Sequence, residues 1–353
     1  MILEAVTKES ASKETTGQSQ KSRGNSRALD QWRGFALLLV LISHGFYYTG
    51  QVYGIGRVGV NLFFFISGIL VFRSLTGSSY KSALERTLAF WKKRFVRLFP
   101  AMAAYLIAMA PVVYFFQNLP NLPAGSDFHS YLQRAPLALI FAVNYHLNPM
   151  SLGHLWSVSV EMQFYILAPL ILLLGGRSDK QRLGVWMGIL LLLMAMGVRP
   201  LFQNYEEKYE FQVAAWPMML GFLLEYQKAW ITRLPRALML AGIGFGIVLV
   251  LLSMVSMLAG MKLKGLVIGM GLAVFVPCFF CYVTGLSLPG RAGKILQWLG
   301  ERTYSIYLWQ QPLTLCGFLP NMLHPVGAAL STAVGAVWYH FLERPFLSAK
   351  RRN

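Results

Sequence analysis

Long apolar runs separated by short polar or basic stretches recur along the chain from Trp32 to Leu342. A helix needs about 20 apolar residues to cross a bilayer core. Runs near that length lie at 32–48, 58–75, 99–116, 153–174, 183–201, 212–227, 237–258, 265–286, 303–320 and 325–342. The pattern predicts an all-α, polytopic membrane protein with about ten transmembrane helices. The run 134–143 is too brief to cross and predicts a short re-entrant or interfacial helix. Residues 1–27 are rich in Ser, Thr, Lys and Glu and have no apolar core. They predict a disordered cytoplasmic tail and not a signal peptide. One membrane domain, 28–347, follows, and 348–353 form a basic cytoplasmic tail.

Composition agrees: 56% of the 353 residues are hydrophobic, and the mean hydropathy is +0.49. The net charge of +18 would suit a nucleic-acid partner only if it formed a basic face on a soluble domain. Its distribution excludes that. With the amino terminus inside, all of the 32 Lys and Arg residues fall on the inner side except Arg57, Arg134, Arg199, Lys208, Lys262 and Lys264. This positive-inside asymmetry predicts a multi-pass protein of the bacterial cytoplasmic (inner) membrane, with both termini cytoplasmic and the lipid bilayer as a partner. Cys278, Cys281 and Cys316 all fall within apolar runs. They read as packing residues, and no metal site is expected.

Ionisable groups inside apolar runs mark candidate chemistry. Arg33 and His44 share the first run with ten residues between them, which is about 16.5 Å along a helix and close to three full turns. Both side chains therefore point the same way, Arg33 near the inner boundary and His44 towards the outer end. Snorkelling explains Arg33 and a headgroup contact explains His44 if the two act separately. Glu161 is the carboxylate set deepest in a run, and His154, Ser157 and Glu161 share one helical stripe. Counted from the outer end, Glu161 falls at a depth comparable to His44, where a Glu–His contact would orient the imidazole as a general base. A structural clamp between two helices is the alternative. Arg94 and Arg97 stand one turn apart in the basic loop 76–98, beside Lys92 and Lys93, with Pro100 expected to open the next span. Their forked donors suit phosphate; inner-face charge alone would also explain them. Trp156, Trp298 and Trp309 offer faces for sugar rings, and an interfacial aromatic belt accounts for them equally.

In order along the chain, LDQWRGFALLLVLISH, GVNLFFFISG (59–68), FWKKRFVRLFP, GHLWSVSVEMQFY (153–165), LGERTYSIYLWQQPL (299–313) and ERPF (343–346) resemble the membrane acyltransferase family 3 of bacterial O-acyltransferases. The resemblance implies an O-acetyltransferase in its stand-alone form. The donor would be acyl-coenzyme A, mostly acetyl-coenzyme A, used as a substrate with no permanently bound cofactor. Arg94, Arg97 and Arg33 would hold its phosphates, His44 steered by Glu161 would deprotonate the acceptor, and Ser157 would support the oxyanion. The acceptor would be a hydroxyl of a glycan or lipid-linked sugar: O-antigen, exopolysaccharide or lipid-linked precursor. Two rival readings keep the same charged cavity. One is a membrane carrier of a lipid-linked sugar or acyl group, and the other an acyltransferase acting on a small hydroxylated metabolite. Asn61, Met162 and Gln310 depart from the family pattern, Gln310 standing where a histidine is frequent; this leaves His44 as the candidate base. The oligomeric state has no signature in the sequence.

Overall fold

The computed structural model describes residues 2–46, 55–77, 82–119, 127–146, 150–174, 178–202, 210–258, 264–315 and 323–348. Cys316, Lys208, Lys262 and residues 349–353 of the basic tail lie outside them. Among the described residues every regular element is helical. The principal helices are α1 (Ile2–Gly45), α2 (Ile55–Thr76), α3 (Ala83–Phe116), α4 (Phe128–Leu139), α5 (Met150–Gly153), α6 (Leu155–Leu174) and α7 (Asp179–Phe202). They continue with α8 (Phe211–Ala214), α9 (Trp216–Tyr226), α10 (Lys228–Ile231), α11 (Arg236–Leu258), α12 (Lys264–Thr284), α13 (Gly290–Glu301), α14 (Thr303–Leu315), α15 (His324–Trp338) and α16 (Arg344–Ser348). Among the described residues, each apolar run lies on a helix or a consecutive pair of helices. Three helical stretches among the described residues are long and apolar enough to cross a membrane: Ile55–Thr76, Ala83–Phe116 and Ser151–Leu174.

The α1 backbone is helical from Ile2, and the stretch before Ala28 contains no proline to interrupt it. A local expectation is corrected. The basic loop 76–98 is helical from Ala83, because Ser82 caps the helix by accepting the Glu85 N–H at 3.1 Å and neither Gly nor Pro occurs before Pro100. Pro100 therefore lies inside α3 instead of opening it. Arg94 and Arg97 become neighbours on one face of a long helix. The run 134–143 holds the end of α4, a turn through Phe141 at φ 55°, and the start of a 3-10 turn at Val143–Tyr145. Cys278 is buried and Cys281 half-buried, and neither is bridged.

α1 packs against α2 and α13, and α2 against α9. At several crossings the backbones touch. A side chain on Gly34 would overlap the Leu296 carbonyl of α13, and one on Gly300 would overlap the Asp30 carbonyl of α1. Gly68 and Gly221 do the same for α2 and α9, meeting the Met218 and Phe65 carbonyls. Small residues permit this approach, and membrane helices use it to gain van der Waals contact. Gln31 adds polar ties: it accepts the Leu288 N–H at 2.7 Å and donates to the Leu288 and Gly293 carbonyls at 2.9 and 3.1 Å. α1 is thus held against α13 two residues from Arg33. Core aromatics fill the neighbouring space, with Phe65 stacked on Phe275 at 4.5 Å and Trp186 buried against Phe222 and Tyr226.

The register of α1 on α2 fixes which turns of α2 stand level with Arg33 and which with His44. Gly56 lies against Ser43, and Gly59 against Ala36 and Val40. The two helices are therefore antiparallel, with the start of α2 beside His44 and its later turns beside Arg33. Replacing Gly68 with Val should push α2 from α9 and cost about 1–3 kcal/mol. A melting temperature in detergent equal to that of the unmodified protein would contradict this crossing.

Candidate active site

A cavity open to the surface lies between α1, α2, α3, α6 and α14. Arg33, Arg94, Arg97, Ser157 and Glu161 line it together with Ser67, Tyr165, Tyr304 and Tyr307. Five of the six residues singled out from sequence thus converge on one chamber. They come from three helices that are far apart in sequence.

Local backbone chemistry sets this convergence. Pro169 cannot donate to the Tyr165 carbonyl one turn before it in α6. The Trp91 indole N–H of α3 donates to that carbonyl at 3.0 Å. The bond fixes α3 against α6, with Arg94 one turn beyond Trp91 and Glu161 one turn before Tyr165. Two turns further along α3, the Tyr304 hydroxyl of α14 donates to the Leu98 carbonyl at 2.7 Å, beside Arg97.

Glu161 accepts from the Ser67 hydroxyl at 2.5 Å and from the Tyr165 hydroxyl. The Arg94 guanidinium lies 4.8 Å from the Tyr165 ring centre and 5.3 Å from that of Phe90, and donates to the Leu70 carbonyl at 3.4 Å. Arg97 faces Glu343 at 3.9 Å. Glu343 sits in a π turn, Tyr339–Glu343, and accepts from Ser305 at 2.7 Å. Arg33 lies within electrostatic reach of Asp30, Glu161 and Glu343. Around the chamber, three guanidinium groups meet the carboxylates of Asp30, Glu161 and Glu343, and the forked N–H donors of the arginines suit an anion.

His44 lies apart from this chamber. Its Nδ1 is hydrogen-bonded to Gln310 Oε1. The amide oxygen can only accept, so the proton sits on Nδ1 and the Nε2 lone pair is available for base chemistry. The expected His44–Glu161 contact is therefore corrected. Ser67, which binds Glu161, is eleven residues beyond Gly56, or about 16.5 Å along α2. That places Glu161 at the level of Arg33. The depth count went wrong because the helical run starts at Met150 and not at Gly153. Glu161 is consequently eleven residues in, whereas His44 is the penultimate residue of α1.

A file of polar groups joins the two levels. Ser157, one turn from Glu161 towards the His44 end, donates to the Tyr307 hydroxyl at 2.8 Å, and Tyr307 donates to the His154 carbonyl at 3.1 Å. The His154 ring is buried between Tyr105 and Tyr307, within electrostatic reach of His44. Sequence reasoning noted His154 and Ser157 but missed Tyr307, Ser67, Tyr165 and the part played by Gln310. The family-like segments contained all four, so the signal was in the motifs; the pairing was not.

A family model described as an acyltransferase domain matches residues 26–339. The chain is 26% identical over 350 residues to YrhL of Bacillus subtilis, covering 90% of this chain and 54% of that protein. It is 24% identical over 352 residues to the O-acetyltransferase OatA of Staphylococcus aureus, covering 90% and 56%. Identity to the peptidoglycan O-acetyltransferase OatA of Listeria monocytogenes is 26% over 359 residues, covering 92% and 56%. The chain spans about half the length of these curated relatives. No solved structure matches it. The matched segment takes in the whole arginine-lined chamber and His44, and the chain belongs to acyltransferase family 3.

Proposed function

We propose that the chain is an O-acetyltransferase of the bacterial cytoplasmic membrane, crossing it about ten times with both termini inside. It moves an acetyl group from acetyl-coenzyme A to a hydroxyl of a cell-surface glycan. The chamber carries this proposal. Three arginines gather at one level of the bundle, and an oriented imidazole stands about 16.5 Å away along the same helix. Phosphates of the donor suit Arg33, Arg94 and Arg97, and the pantetheine arm extends past Ser157 and Tyr307. Among acceptors, peptidoglycan stands ahead of the O-antigen, exopolysaccharide and lipid-linked precursors expected from sequence, because a relative's name specifies it.

In the transfer, His44 Nε2 takes the proton of the acceptor hydroxyl as its oxygen attacks the thioester carbonyl. The carbonyl oxygen becomes an oxyanion within reach of hydroxyl donors such as Ser157 and Tyr307. The intermediate then collapses: the carbon–sulfur bond breaks, an ester forms, and the thiolate of coenzyme A receives the proton from the imidazolium. Glu161 is assigned a positioning role. Its hydrogen bonds with Ser67 and Tyr165 brace α2 and α6 around the chamber and offset part of the arginine charge.

Purified protein in vesicles, supplied with acetyl-coenzyme A and a peptidoglycan fragment, tests the proposal by mass spectrometry of the glycan. His44→Ala should lower kcat by about 10²–10⁴-fold while the protein still folds and inserts. Turnover equal to that of the unmodified protein would remove His44 as the base. Gln310→Leu should lower kcat and leave the donor KM unchanged, because it frees the imidazole to turn without touching the arginines. Arg94→Ala should raise the donor KM about tenfold; an unaltered KM takes Arg94 out of the donor site.

A further inference from the structure

Glu343 meets Arg97 from the far end of the chain, and the contacts around it are specific. The Trp338 indole N–H donates to the Ala101 carbonyl at 3.3 Å, one turn beyond Arg97 in α3. The π turn Tyr339–Glu343 follows directly and ends on the buried carboxylate. Such turns are rare and are frequent at functional sites. The Ser305 hydroxyl of α14 donates to Glu343 Oε2 at 2.7 Å, while the neighbouring Tyr304 ties α14 to the Leu98 carbonyl. The other carboxylate oxygen, Oε1, stands 3.9 Å from Arg97 Nε. Among the described residues neither of these two buried atoms has a hydrogen-bond partner. Arg97 and Glu343 thus meet as charges and not as a hydrogen-bonded pair.

A purely structural clamp would be firmer with the hydrogen bond closed, because buried charges are held best by direct donors and acceptors. Ser305 works against closure by holding the carboxylate from its other oxygen. The separation has a chemical use. Coulomb attraction falls only as the inverse of distance, so the carboxylate still answers Arg97 while the chamber is empty. No hydrogen bond between the two then has to break when a phosphate arrives and takes over the same guanidinium. With the phosphate in place, the carboxylate becomes a like charge at close range and weakens the hold on it. Arg33 also lies within electrostatic reach of Glu343, so this one charge bears on two of the three arginines.

We propose that Glu343 is a built-in counter-anion, which competes with the donor's phosphates for Arg97 and so limits the affinity of the chamber for coenzyme A. The inference rests on the proposed donor site. Glu343 takes no part in bond making. It sets how tightly the arginines hold a phosphorylated ligand, and hence how readily spent coenzyme A departs. Ser305 keeps the carboxylate at its distance.

Calorimetric titration of the full chain with coenzyme A, and with ADP as a probe that carries the pyrophosphate without pantetheine, tests this without turnover. Glu343→Gln keeps the side-chain size and an oxygen for Ser305 but removes the charge. It should bind both ligands about tenfold more tightly than the unmodified protein. Glu343→Asp, which keeps the charge, should stay close to the unmodified affinity. Ser305→Ala should act the opposite way and weaken binding, since release of Oε2 lets the carboxylate close on Arg97. Without ligand, Glu343→Gln should melt at a lower temperature, and coenzyme A should raise its melting temperature by more than that of the unmodified protein. Equal or weaker binding by Glu343→Gln, or a melting temperature that coenzyme A raises no more than in the unmodified protein, overturns the counter-anion and leaves a clamp. Should Glu343→Gln fail to fold, Ser305→Ala decides alone, and an affinity equal to or above that of the unmodified protein overturns the proposal. Tighter ligand binding by Glu343→Gln without any acetyl transfer by the unmodified protein would remove the proposed transfer and leave the counter-anion standing. No binding of either ligand to any of these proteins removes both the donor site and the counter-anion.

Discussion

The structure depends on how an apolar bundle tolerates three guanidinium groups in one chamber. Charges taken out of water need counter-charges and hydrogen bonds, and a lone one costs several kcal/mol. Glu343 answers Arg97 from the far end of the chain, Glu161 lies within the field of Arg33, and aromatic faces shield Arg94. Asp30 lies within the field of Arg33 and Arg97 as well, so three carboxylates answer three arginines. The guanidinium groups nevertheless face a chamber that opens to the surface, and the hydrogen bonds from Ser67 and Tyr165 hold the Glu161 carboxylate in place beside them.

Keeping Glu161 with the arginines also keeps the imidazole away from them. A general base must lose its proton readily, and a site crowded with guanidinium groups, or closed by a carboxylate, would set its protonation for other reasons. The register of α1 on α2, fixed by Gly56 against Ser43 and Gly59 against Ala36, separates the two chemistries along one rigid pair of helices. What joins them is the line from Ser157 through Tyr307 to the His154 backbone. The proposed donor binding and proton removal thus fall at different levels of one bundle.

Much of this was legible in the chain before any coordinates. Apolar runs located the helices, and the motifs named five of the residues that line the chamber. Heights were not legible. Hydropathy marks where a helix is apolar but not how far it stands above its neighbour, so the three residues of α5 ahead of Gly153 were enough to misplace Glu161 against His44. The helical form of 83–98 was hidden for a related reason: a basic, aromatic stretch reads as a loop until its Ser82 cap is recognised. Contacts between distant segments were the hardest of all. Nothing near Arg97 announces Glu343, and nothing near Trp91 announces a carbonyl vacated by Pro169; both are consequences of packing.

Gln310 shows how a departure from a pattern can be a partner. Read alone, an amide where relatives often carry histidine looks like a lost catalytic group. Next to His44 it acts differently from an imidazole. A histidine there could donate or accept and could itself take a proton, so the pair would have several protonation states and two ring orientations. An amide does not titrate, and its oxygen accepts only. It therefore holds His44 in one tautomer, with Nε2 directed away from the amide. Among the described residues its own Nε2 is buried without a hydrogen-bond partner, an arrangement that costs free energy unless something polar arrives. A hydroxylated acceptor beside His44 would bring oxygen atoms to that position, so the amide that fixes the base also favours occupancy of the space next to it.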